Sequence, residues 1–299
     1  MTTVDSRIAP RTPVRRHRTL LWLTAATAVL AVVSGIGIVA DDRILTGVPI
    51  WLKPFKFSVS FAVYGWTIAW LLAVLPRRSR AAERAGVVIA GAGVVELAII
   101  TAQVIRGTTS HYNVSSPIDE TLWNIMGPTI MVLFLAQVVI AVAVLRQRTP
   151  DRPAAFAIRL GLGISLLGMA LAFLMTAQQT ADGLIGAHSV GVADGGPGMP
   201  LTGWSTTGGD LRISHFVGLH ALQALPLLAY GLGRWTRLTA AVRARLVLIA
   251  GSAYAVIVLL LTWQALRAQP LLQPDGITLA AFAALAVATA AATGVAVRR

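Results

Sequence analysis

Read from one ionisable side chain to the next, the chain is a series of long apolar runs separated by short charged stretches. Eight runs reach twenty residues or more: 19–40, 57–76, 85–105, the stretch between Glu120 and Arg146, that between Arg159 and Asp182, that between Arg212 and Arg234, then 246–266 and 276–297. At a rise of about 1.5 Å per residue, roughly twenty residues cross a hydrocarbon core about 30 Å thick. The pattern therefore predicts an all-α, polytopic integral membrane protein, a bundle of eight transmembrane helices. One acid, Glu96, and two histidines, His215 and His220, interrupt the runs. The first run follows Arg15, Arg16 and Arg18 but is longer than the roughly 7–15 apolar residues of a cleavable signal, so it is expected to be a retained helix.

The charged stretches fix the expected topology. With the N-terminus inside, segments 1–18, 77–84, 146–159, 234–245 and Arg298–Arg299 hold all the basic residues except Arg43, Lys53, Lys56, Arg106, Arg212 and Arg267. The inner acids are then only Asp5, Glu83 and Asp151. This asymmetry predicts cytoplasmic N- and C-termini in a cell membrane. It also turns the formal charge of +13 into a topology signal that attracts anionic lipid headgroups, and nucleic acid drops out as a partner.

Composition agrees. The chain is 56% hydrophobic and 12% charged, against about 25% charged in soluble domains. It contains no cysteine, which excludes a disulfide, a thiolate nucleophile, Cys-ligated zinc and an iron–sulfur cluster. The domain organisation is a basic cytoplasmic tail (1–18) and an eight-helix transmembrane domain (19–297). A glycine-rich outer loop (182–212) is expected to fold as a cap. The short apolar run from Ile44 to Leu52 is expected to be re-entrant or interfacial. Gly86, Gly91 and Gly93 on the third helix and Gly161, Gly163 and Gly168 on the fifth are expected to serve close helix packing. Trp51, Trp123, Trp204 and Trp263 read as interfacial belt residues.

Polar side chains crowd into the outer half of the bundle. On the second helix Lys53, Lys56, Ser60, Tyr64 and Thr67 follow spacings of three and four, a stripe on one face. Glu96 lies deep in the third helix, with Gln103 on nearly the same face, and Gln223 lies one turn beyond His220. Gln178 and Gln179 end the fifth helix. An acid in hydrocarbon must be neutral or paired, and Tyr64, Thr67, His220 and Gln223 are the expected partners of Glu96. A purely structural role for Glu96, holding helices together, is the competing reading. The pattern implies a cavity open outward and sealed below.

Four of the five histidines, His111, His188, His215 and His220, map to the outer side, whereas His17 falls in the basic tail as a solvated bystander. Imidazoles clustered with Asp119 or Asp210 suit a transition metal, and two from different segments suit a haem. The i, i+5 spacing of His215 and His220 is not that of a helical metal motif. The expected site thus has His111, His188, His215 and His220 as ligands, with Glu96 and Tyr64 handling protons. Lys56, Gln103, Arg106 and Gln223 bind the rest of a lipophilic small molecule, a quinone or lipid. A small-solute transporter and a ligand-free scaffold are the alternatives.

Overall fold

The computed structural model describes residues 16–178, 184–235 and 237–298. Most of the basic tail 1–18, Gln179 and Asp182 lie outside the described residues. Among the described residues, eight helices are long and apolar enough to cross a membrane. They are α1 (Arg18–Ala40), α2 (Leu52–Val74), α3 (Arg80–Arg106), α4 (Pro117–Leu145), α5 (Arg152–Leu171) with its short continuation α6 (Phe173–Thr176), α7 (Leu211–Trp235), α8 (Ala240–Leu266) and α9 (Gly276–Arg298). Two hairpins join them, β1 (Ile44–Leu45) with β2 (Val48–Pro49), and β3 (Ser189–Val190) with β4 (Gly209–Asp210).

The helices begin where local chemistry supplies a cap. The side chains of Ser79, Ser116 and Thr239 accept the orphan N–H groups of Ala82, Asp119 and Val242 at the starts of α3, α4 and α8. His17 plays the same part for α1. Its Nδ1 accepts from the Leu20 N–H, and its Nε2 lies 2.9 Å from the carbonyl of Glu83. It is thus a capping residue pinned to α3, not a solvated bystander. The run Ile44–Leu52 also departs from expectation. Thr46 and Gly47 both take positive φ (50° and 76°), the requirement of a tight two-residue hairpin turn, so the run folds back as β1–β2 before α2 begins.

Two helical groups meet face to face. In one, α1 packs on α2 and α3, and α3 on α4; in the other, α5 packs on α7 and α8, and α9 leans mainly on α8. The closest approach is α5 against α7. A Cβ on Gly168 would stand 2.7 Å from the backbone of Gly218 and Leu219, and one on Gly218 would stand 2.6 Å from Gly168. Without a driving force from water, helices in lipid associate by this kind of backbone-to-backbone dispersion contact. Gly86, Gly93 and Gly161 also sit against neighbours, but a Cβ on Gly91 or Gly163 would meet nothing within 4 Å. Those two do not serve packing.

At the end of the bundle away from the arginine-rich turns, residues 184–210 form a cap. It is held by the β3–β4 pairing, by a bridge from Leu184 to Asn113 and by one from Gly198 to Ser205. Gly47 of the first hairpin abuts the cap at the carbonyl of Gly195, where a Cβ would come within 2.7 Å.

Candidate functional site

Beneath the cap, between the two helical groups, lies a cavity of about 370 Å³. The stripe on α2 faces it: Lys53, Lys56, Ser60 and Tyr64 all line the wall. So do all four outer histidines, Glu96 and Gln223. The rest of the lining is mainly apolar and aromatic, with Phe57, Phe61, Phe134, Phe173 and Phe216. Trp123, expected from the sequence in an interfacial belt, lines the cavity as well.

Three of the imidazoles are held through the same nitrogen. His188 Nδ1 donates to Asp194 Oδ2 at 2.6 Å, and the same carboxylate accepts the backbone N–H groups of His188 and Ser189. His215 Nδ1 donates to the carbonyl of Gly168 at 2.7 Å. His220 Nδ1 faces Gln223 Oε1 at 3.3 Å, and Gln223 in turn donates to Thr67. With Nδ1 carrying the proton, Nε2 of each neutral ring is a bare acceptor. His111 packs edge-on against Phe57 and lies near Tyr112 and Trp123, with Ser110 Oγ 3.0 Å from its Nδ1.

Burial and the nearby Lys53 charge hold His111 well below the ordinary histidine value of 6.5. Burial also lowers His188, outweighing the Asp194 carboxylate. Asp194 is held below the ordinary carboxylate value, its burial outweighed by bonds from His188 and Ser189. Near pH 7 His111 and His188 are therefore neutral, and His188 lies against an ionised Asp194.

Glu96 is fully buried, and both of its carboxyl oxygens are without a hydrogen-bond partner among the described residues. The expected partners are committed elsewhere: Tyr64 donates to Gln137 Oε1 at 2.5 Å, Gln137 donates to Ser165, and Thr67 takes Gln223. The charge that reaches Glu96 is that of Lys53, which also feels Asp194. Among the described residues Lys53 forms no hydrogen bond or ion pair. An unpaired carboxyl group and an unpaired ammonium group thus border one largely apolar cavity. Buried polar groups left this way normally answer to a ligand or ordered water.

Other expected contributors are drawn away. Gln103 and Arg106 both bind Asp119, Gln103 at 2.8 Å and Arg106 at 2.6 Å, and Arg106 also contacts Gln103. Neither lines the cavity; they tie the end of α3 to the start of α4. Asp119 is occupied by that network, and Asp210 by a forked pair with Arg212 at 2.5 and 2.9 Å. Neither aspartate is left for a metal, and among the described residues no three His, Asp or Glu side chains gather as a metal site. Lys56 donates to the carbonyl of Thr202 at 2.6 Å, fastening the cap to α2.

Lys53 and Asp194 were not singled out by the sequence. Lys53 carried one signal, its place at the head of the polar stripe; Asp194 carried none, because its partner is brought to it by the fold of a glycine-rich loop. Compared with protein-family models, with curated proteins and with solved structures, the chain finds no match.

Proposed function

We propose that this is a multi-pass protein of the cell membrane, with both termini on the cytoplasmic side, whose cavity binds a lipophilic small molecule with a polar head. The observation that carries the reading is the presence, in one largely apolar wall, of a buried Glu96 carboxyl group without a hydrogen-bond partner among the described residues and of Lys53, which forms no hydrogen bond or ion pair there. The head lies under the cap, where Lys53 supplies charge and the imidazole Nε2 atoms accept hydrogen bonds. The apolar body lies among Phe61, Phe134 and Met169. A metal held by these imidazoles together with Asp119 or Asp210 gains no support from the donor set, since both aspartates are committed to other partners.

The test is native mass spectrometry of detergent-purified protein, followed by identification of whatever small molecule is released. Wild type retains an amphiphile that both Lys53→Met and Glu96→Gln lose. Wild type that carries no adduct, even after incubation with total membrane lipid, would overturn the reading. Topology is read separately by placing single cysteines, since the chain has none of its own.

The His188–Asp194 pair favours a second reading, in which the bound molecule is also turned over by general-base chemistry. A carboxylate on Nδ1 orients an imidazole so that Nε2 can take a proton. His188→Ala would then abolish turnover while leaving binding in place.

A further inference from the structure

The cavity is not enclosed on all sides by the bundle. Although consecutive, α4 and α5 pack together far less than α5 packs on α7, and the cavity lies in the space between them. Gly127, Ile130 and Phe134 line it from one face of α4; Ala172, Phe173 and Thr176 line it from the end of α5 and from α6. Three of these six also have a large accessible surface. Gly127 and Thr176 are exposed, and Phe173 is 40% exposed. A Cβ on Gly127 would meet nothing within 4 Å. Below this opening, Phe134 and Phe173 meet edge to face with ring centroids 6.3 Å apart. Both flanking helices carry an irregular position nearby. Pro128, next to Gly127, lacks the N–H of a normal helical rung, and α5 breaks at Ala172.

We infer that this gap is a lateral mouth, through which a hydrocarbon chain passes between the cavity and the bilayer. The ligand is a membrane-dissolved amphiphile whose anionic head lies near Lys53 and whose chain runs out between α4 and α6. A water-soluble solute admitted through the cap does not fit this shape. The inference rests on the reading that the cavity holds a ligand and adds its class and its route. The physical reason is placement. The gap lies along two helices that are long and apolar enough to span, so it opens onto lipid, and hydrocarbon gains nothing by crossing water to reach the site.

The absence of native cysteine allows the mouth to be blocked after folding. The full chain with Gly127→Cys is reconstituted in phosphatidylcholine vesicles and exposed to palmitic acid bearing a mid-chain diazirine. After irradiation, adducts are mapped by peptide mass spectrometry. The expected adducts fall on the cavity walls around Phe134 and Met169. Prior reaction of the introduced thiol with N-benzylmaleimide slows their formation roughly tenfold or more, and a small methylthio cap does not. The same benzyl group on Val94→Cys, an exposed position on α3, has no effect. Thr176→Cys, on the opposite lip, serves if the Gly127 variant does not fold.

If blocking the mouth leaves labelling unchanged while Lys53→Met abolishes it, the lateral route is wrong and the cavity stands as a ligand site. If the cavity walls of wild type take no label at all, the cavity reading falls and the route falls with it.

Discussion

His215 Nδ1 donates to the backbone carbonyl of Gly168 across the α5–α7 interface, at 2.7 Å. The carbonyl is available because α5 breaks one turn later. The Ala172 N–H, which would close the next helical rung onto Gly168, bonds to Met169 instead. A histidine on one helix thus fills a vacancy left by the end of another, at the level where Gly168 and Gly218 let the two backbones touch. This contact fixes the imidazole tautomer and positions one wall of the cavity.

Gly168→Ala should therefore lower thermal stability in detergent, because the new methyl meets backbone on the opposite helix rather than a movable side chain. Overpacking of this kind costs about 1–3 kcal/mol. Gly163→Ala, on the same helix but with open space around it, should be neutral or slightly stabilising, as alanine is in helices generally. Equal effects from the two substitutions would contradict the packing account.

Tyr64→Phe should destabilise by about 1–3 kcal/mol, since it leaves the buried Gln137 Oε1 without its donor. The double variant Tyr64→Phe with Gln137→Leu should lose less than the sum of the two single changes, because no half of the pair is then stranded. Thermal unfolding of the four proteins gives the coupling directly.

Lys56→Met should loosen the cap without disturbing the helices, because the ammonium group is the tether from α2 to Thr202. Hydrogen exchange over residues 197–206 should accelerate, with α2 and α3 unchanged. Unaltered exchange there would show that the tether carries no weight.

Docking of the cap should weaken as pH falls. His111 and His188 lie below 6.5 in the folded chain, so the undocked cap binds more protons and docking strengthens with rising pH. That contribution is lost on acidification through and below 6.5. Asp194, held below the ordinary 3.8, adds stability that persists above that value and disappears only in stronger acid. Hydrogen exchange of residues 184–210 between pH 7 and pH 5 should rise in wild type, within the range about 5–8 where histidine titrates. His188→Gln should flatten the response.

Much of the architecture is legible in the sequence because lipid imposes a one-dimensional rule. A run of about twenty apolar residues can satisfy its backbone in hydrocarbon only as a helix, and the eight runs are eight helices. The stripe of Lys53, Lys56, Ser60 and Tyr64 is equally local, since residues three and four apart share a face whatever surrounds them. Side-chain pairing is not local. Glu96 lacks the partners its depth suggested because Tyr64 and Thr67 are taken by Gln137 and Gln223, on helices far away in the chain. Asp194 reaches His188, and Asp119 claims Gln103 and Arg106, through loop conformations that no periodicity encodes. Hydrophobic spacing determined the helices and the faces that carry polar groups. Only the tertiary structure decided which of those groups are bonded to each other and that Lys53 and Glu96 face the cavity without a hydrogen bond among the described residues, because a hydrogen bond depends on ångström-scale position and the sequence pattern specifies only a face.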